Sequence, residues 1–189
     1  MKQGIGATVC LYPMPALVVG AMVDGKPNWL LAAFCGILDK QHILVSLSSR
    51  HYTNQGIIRE GAASVSLIHR ENLALADLVG SVSGRQSDKS QVFAWESGCL
   101  GEPVPQELPL TMECKVTERQ EWNGFDCFVM QVENTLVDPA FLTDGKVDYH
   151  KLKPVLFEMP GYTYLASGET IGSCGKQHRA QPEQSTEEQ

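Results

Sequence analysis

Residues 16–36 read ALVVGAMVDGKPNWLLAAFCG, two apolar runs joined through Asp24-Gly25-Lys26-Pro27-Asn28. An Asp-Gly pair between β-rich runs marks a tight hairpin, because both turn residues must take positive φ. The stretch predicts antiparallel strands over 16–23 and 29–38. Working outward, ILVSLS at 43–48 is a third strand rich in branched residues. Residues 52–60 have helical spacing and stop at Gly61, and ASVSLI at 63–68 is a fourth strand. Residues 71–79 read as a second helix, followed by a polar stretch at 81–90 and a proline-rich loop at 101–109. Two long strands, 112–121 and 125–137, meet at Asn123-Gly124, a second hairpin signal, and Asp144-Gly145 marks a further turn. Strands with few, short helices between them do not make a βαβ alternation. The order predicts a mainly β chain: an antiparallel, Greek-key type barrel with peripheral helices.

The chain has 189 residues, 43% of them hydrophobic and 20% charged, which suits one soluble domain. That domain is expected over residues 1–174, with a polar, unstructured tail over 175–189. No apolar run approaches the roughly 20 residues of a membrane span, and the start does not read as a signal peptide. A net charge of −7 argues against broad nucleic-acid binding, though not against one local anion pocket. The six cysteines form no C-x-x-C pair and suggest reduced thiols in the cytoplasm. The scattered Cys and His residues show no ligand spacing, so no metal is expected. No Ser-His-Asp or Cys-His triad can be assembled, and no catalytic side chain is assigned.

Three stretches could carry chemistry. The junction Ser46–Thr53 offers a helix N-terminus with the hydroxyls of Ser48, Ser49 and Thr53 and the guanidinium of Arg50, a donor set suited to phosphate. An ordinary capped helix with a surface arginine is the plainer reading of the same residues. The loop Ser83-Gly84-Arg85-Gln86-Ser87-Asp88-Lys89 could bring further cations to the same anion, or be a solvated loop. In Leu31-Ala32-Ala33-Phe34-Cys35-Gly36, small residues would let a flat ligand lie on the backbone; close barrel packing asks for the same residues.

Together these stretches resemble the flavin-reductase-like, FMN-binding split-barrel family, and within it the flavoredoxin type. The matching pieces are the strand from Pro15, the turn 24–28, Ala33-Phe34-Cys35-Gly36, the run Ser48–Thr53, the residues Ser83, Gly84, Arg85, Asp88 and Lys89, the turn 144–146 and the segment 160–164. The resemblance runs from about residue 13 to 172. It implies FMN as cofactor, a homodimer with the site between subunits, and NAD(P)H or a redox partner protein as electron donor. It implies that Asn28 and the backbone of Ala32, Ala33, Phe34 and Cys35 touch the flavin ring. Arg50, Thr53 and Lys89 would hold the phosphate, with Ser48, Ser49, Tyr52, Ser83 and Arg85 near it, and a late aromatic, Tyr162 or Tyr164, would approach the ring. Relatives often have Trp at Phe34 and His at Phe125. The functions implied are a flavin reductase, an electron carrier, or a module holding flavin or haem.

Overall fold

Strands β1 (Met14–Pro15), β2 (Leu17–Val23), β3 (Lys26–Ala32), β4 (Cys35–Ile37) and β5 (His42–Ser48) come first, then helix α1 (Thr53–Glu60), β6 (Ala62–Leu67) and α2 (Leu73–Ser81). A small hairpin, β7 (Trp95–Ser97) with β8 (Pro103–Pro105), precedes the long pair β9 (Leu110–Trp122) and β10 (Phe125–Val137). The pair β11 (Leu142–Thr143) and β12 (Lys146–Val147), helix α3 (Tyr149–Leu152), and strands β13 (Val155–Glu158) and β14 (Thr163–Ala166) complete the order. This computed structural model describes residues 1–176; the expected tail lies outside the described residues from 177 on.

Both hairpin signals act as read. Asp24 and Gly25 have φ of 50° and 77°, and Asn123 and Gly124 have 46° and 82°. Double positive φ is the turn whose twist matches that of its strands. The main sheet runs β3-β2-β6-β9-β10-β5-β4, with every neighbouring pair antiparallel. Its two edge strands are successive pieces of one stretch, separated only by Ala33 and Phe34. Laid flat, seven strands would put those edges about 29 Å apart at roughly 4.8 Å per step. A two-residue link spans only about 10 Å. The sheet must therefore curl until its edges meet, and the result is a barrel. The single strand expected over 29–38 divides here. Ala32 is the last residue paired with β2 and Cys35 the first paired with β5, so Ala33 and Phe34 belong to neither ladder.

Side-chain alternation sorts the core into two clusters. Leu17, Val19, Ala21, Leu30, Val45, Leu47, Val65, Phe128 and Met130 fill the barrel with Ile57 of α1. Val18, Trp29, Ala76, Val79, Phe93 and Val155 form the second cluster, between the barrel and α2 with the sheet β1-β13-β14. Strand β2 contributes to both, which explains its nearly unbroken apolar run. The proline-rich loop was expected to lack structure, yet it contains β8. A two-stranded ribbon tolerates prolines that need not donate to its partner. Gly98 N to Glu102 O (2.8 Å) and Gln106 N to Ala94 O (2.8 Å) bracket it.

Candidate functional site

Chain direction changes sharply between β5 and α1. His51 N donates to Ser48 O at 3.0 Å, and Asn54 Nδ2 donates to the same carbonyl at 3.0 Å. Asn54 Nδ2 also reaches the buried Asp126 carboxylate of β10 (2.6 Å), which Arg119 Nη2 pairs at 2.7 Å. The start of α1 is thus clamped to the long hairpin. Among the described residues no side chain caps this helix, and Tyr52 in the cap position has helical angles. The first-turn N–H groups and the positive helix end are left without a capping side chain.

The loop 82–90 closes over this helix start. Lys26 Nζ pairs with Asp88 Oδ2 at 2.9 Å, and Ser90 N donates to Asp88 Oδ1 at 2.9 Å. Tyr52 Oη donates to Asp24 Oδ2 (2.8 Å), and the Arg85 guanidinium lies 5.4 Å from the centre of the Tyr52 ring. With its amide oxygen facing it, Gln55 accepts from Arg85 Nη2 at 2.7 Å. Gly84 is needed for the fit: a Cβ there would sit 2.2 Å from Asn28 Oδ1 and 2.7 Å from Tyr52 Cδ1.

Between helix start and loop lies a cleft of about 300 Å³ lined by Asn28, Leu31, Arg50, His51, Thr53, Gly80, Ser83 and Lys89, among others. Asn28 Nδ2 donates to the buried Thr53 hydroxyl at 2.6 Å. Lys89 is 5% exposed, and its ammonium donates to Trp29 O (2.7 Å) and Val79 O (2.8 Å). An ammonium has three N–H donors, so one is left over. Among the described residues no carboxylate lies within ion-pair distance of Lys89 or Arg50. Burial lowers the Lys89 pKa to about 8. Desolvation, and then the Lys89 charge, hold His51 below the usual histidine value. Such a cleft suits a dianion: two cations without a carboxylate, a helix N-terminus and hydroxyl donors face it.

Six residues expected at a phosphate or ring, Asn28, Arg50, Tyr52, Thr53, Ser83 and Lys89, line this one cleft. Arg85 lies on its Tyr52 side, in an adjoining hollow. Ser48 contributes its carbonyl to the turn, and Ser49 Oγ donates to Gly124 O at 2.9 Å. Ala32 ends β3, Ala33 and Phe34 link it to β4, and Cys35 begins β4; none of the four lines the cleft. Phe34 packs on Phe125 with ring centres 6.0 Å apart. Phe34 and Phe125, where the resemblance leads one to expect Trp and His, therefore meet as an apolar pair. Cys35 packs against the barrel core, and burial raises its thiol pKa. Tyr162 is 74% exposed, beside Phe157 in the turn after β13, and does not line the cleft. Sequence reasoning assigned no role to His51 or Gly80, both in the cleft wall. His51 sits between two assigned residues and was within reach; Gly80 carried no signal of its own.

The flavin reductase like domain matches residues 9–156 of the chain. Flavoredoxin from Methanosarcina acetivorans is 31% identical, superposes with a TM-score of 0.91, and the match covers 95% of this chain and 98% of that one. Flavoredoxin of Desulfovibrio vulgaris (Miyazaki F) is also 31% identical, with a TM-score of 0.87 over 94% of this chain and 100% of that one. A protein of Pseudomonas syringae pv. syringae (strain B728a) named FMN reductase (NADH) is 23% identical over 130 residues, 67% of this chain and 72% of its own.

Proposed function

The chain belongs to the flavin reductase like domain family, and from that premise we propose that it is an oxidoreductase that works through bound FMN and takes its electrons from a nicotinamide nucleotide. The observation that carries the reading is the meeting of the Lys89 ammonium, the Arg50 guanidinium and the uncapped start of α1 around one cleft. That donor set fits a phosphate monoester, and a buried ammonium held only by carbonyls is stabilised by an incoming dianion. Arg50, Thr53 and Lys89 would hold the phosphate, and Asn28 would fix the Thr53 hydroxyl. Ala33 and Phe34, outside both ladders, would offer backbone to the ring, with Phe34 and Phe125 as an apolar wall. When bound, FMN supplies the hydride and electron transfer that side chains cannot. No side-chain acid or base is required; the protein's task is to bind, orient and leave one face open.

The working unit is a homodimer in this reading. Ile37 (84% exposed) and Leu38 (53%) follow directly on the ring-facing segment, where a second subunit would cover them. Six free thiols fit a reducing compartment, the cytoplasm. No helix among the described residues is long and apolar enough to cross a membrane. The similarity to two flavoredoxins favours a second reading, an electron carrier served by a protein partner. Anaerobic stopped-flow mixing with NADH and NADPH decides between them. Rapid loss of flavin absorbance supports the reductase; flavin that stays oxidised with both nucleotides, but is reduced by dithionite, refutes it.

A further inference from the structure

The turn between β7 and β8 lies against β9 and brings together three ligating side chains that take no part in the cleft. Cys99, Glu102 and Glu113 each offer an atom within 4.8 Å of the other two. Both glutamates are buried, at 2% and 3% exposure. Glu113 Oε1 accepts from Cys99 N at 2.7 Å, and Glu113 Oε2 from Asn134 Nδ2 at 2.6 Å. Glu102 Oε2 accepts from Leu100 N at 2.9 Å. Glu102 Oε1 is buried with no donor among the described residues. A Cβ on Gly98 would stand 2.4 Å from Glu102 Oε1 and 2.6 Å from Glu113 Oε1, so these two oxygens face one spot that only glycine leaves open.

Among the described residues no Lys, Arg or His pairs with either carboxylate. Two buried carboxylates facing each other without a cation are costly. Either a proton or a metal ion must relieve the pair, and the thiol beside it points to metal.

We propose that Cys99, Glu102 and Glu113 bind one zinc ion, with water as the fourth ligand, and that this ion fastens the β7–β8 hairpin to β9. Thiolate and carboxylate together suit zinc, a borderline-soft, four-coordinate ion. Three atoms no farther apart than 4.8 Å share a point within about 2.8 Å of each, roughly 0.5–0.8 Å beyond zinc bond lengths. Small rotations of three side chains close that gap. Binding releases the Cys99 thiol proton, so affinity falls as the solution is acidified. Cys114 is fully buried in the barrel core and is not among the three clustered ligating groups. A ligand set drawn from a turn and a neighbouring strand, two-thirds carboxylate, has none of the Cys/His spacing by which a sequence announces zinc.

The test uses the full chain carrying Cys10→Ser and Cys174→Ser, because both of those thiols are exposed and could bind metal on their own. After treatment with chelator, the protein is titrated with zinc chloride against a chromophoric zinc indicator. One equivalent should bind, and Cys99→Ser or Glu102→Gln should weaken it by at least the roughly 10- to 100-fold that loss of even an outer-shell partner costs. Cobalt in place of zinc should give a sulfur-to-metal absorption band that Cys99→Ser abolishes. Zinc should raise the melting temperature of the parent and not of Cys99→Ser, and all variants should retain their flavin. Absence of stoichiometric binding at micromolar zinc overturns the proposal, as does binding that survives Cys99→Ser unchanged. A Glu102→Gln variant that melts higher than a zinc-indifferent parent assigns the pair to a shared proton instead, and also overturns it.

Discussion

Raising the pH from 7 to 9.5 should weaken FMN binding about 30-fold while riboflavin binding stays constant. The reason lies in Lys89, whose burial lowers its pKa to about 8 and whose ammonium is held by two carbonyls. A base with a lowered pKa carries its charge below that value and loses it above. A bound phosphate, a dianion throughout this range, favours the charged form, so the complex keeps the proton well above pH 8. Binding above pH 8 then requires proton uptake, and the dissociation constant rises toward tenfold per pH unit. With a pKa of about 8, the charged fraction falls from about 90% at pH 7 to about 3% at pH 9.5, a ratio near 30 or ~2 kcal/mol. The assay is flavin fluorescence titration of apoprotein at constant ionic strength. Lys89→Met should bind FMN weakly with no such slope. A flat profile in the parent, an equal slope in Lys89→Met, or the same slope with riboflavin would refute the assignment of Lys89 to the phosphate.

Arg50 is exposed and has no carboxylate partner among the described residues, so Arg50→Ala should leave melting unchanged and weaken FMN about 10- to 150-fold, the value of a charge-assisted hydrogen bond, as calorimetry with FMN and riboflavin would show. Gly84→Ala should both destabilise the fold, by about 1–3 kcal/mol in urea unfolding, and loosen FMN, because its Cβ collides with Asn28 and Tyr52. Unaltered binding by this variant would mean that loop 82–90 does not define the cleft. Cys35→Ala should bind FMN and be reduced at close to the parent rate, since the thiol packs as a hydrophobe and burial keeps it protonated. A drop beyond about tenfold in the flavin absorbance transient would give the sulfur a role.

The turns were legible because their chemistry is local. Asp24-Gly25 and Asn123-Gly124 demand positive φ wherever they occur, and Gly61 (φ 66°) ends α1 as read. The strand over 29–38 was misjudged at Ala33 and Phe34, because leaving a ladder is decided by which neighbours the barrel supplies. The hairpin β7–β8 was hidden by Pro103 and Pro105, and β13–β14 by shortness. At the site, hydroxyls and cations near a helix start could be read from residue type. That Lys89 would be buried under two carbonyls, and that Phe34 and Phe125 would meet, depends on contacts between distant strands. The cluster of Cys99, Glu102 and Glu113 had no signal, since its third member comes from another strand.

The strand that closes the barrel also sets a schedule for the cleft during synthesis. Strands β2 with β3 and β4 with β5 can form two hairpins from local pairings as soon as they leave the ribosome. The outer edge of β5, however, pairs only with residues 125–131, which emerge much later. The turn at the start of α1 waits for the same event, because Asn54 is anchored to Asp126. Until β10 arrives, the nascent chain carries an open, adhesive strand edge and an unformed cleft. The cleft therefore waits for β10, and a truncation before residue 125 should leave a chain with that cleft unformed and its strand edge open.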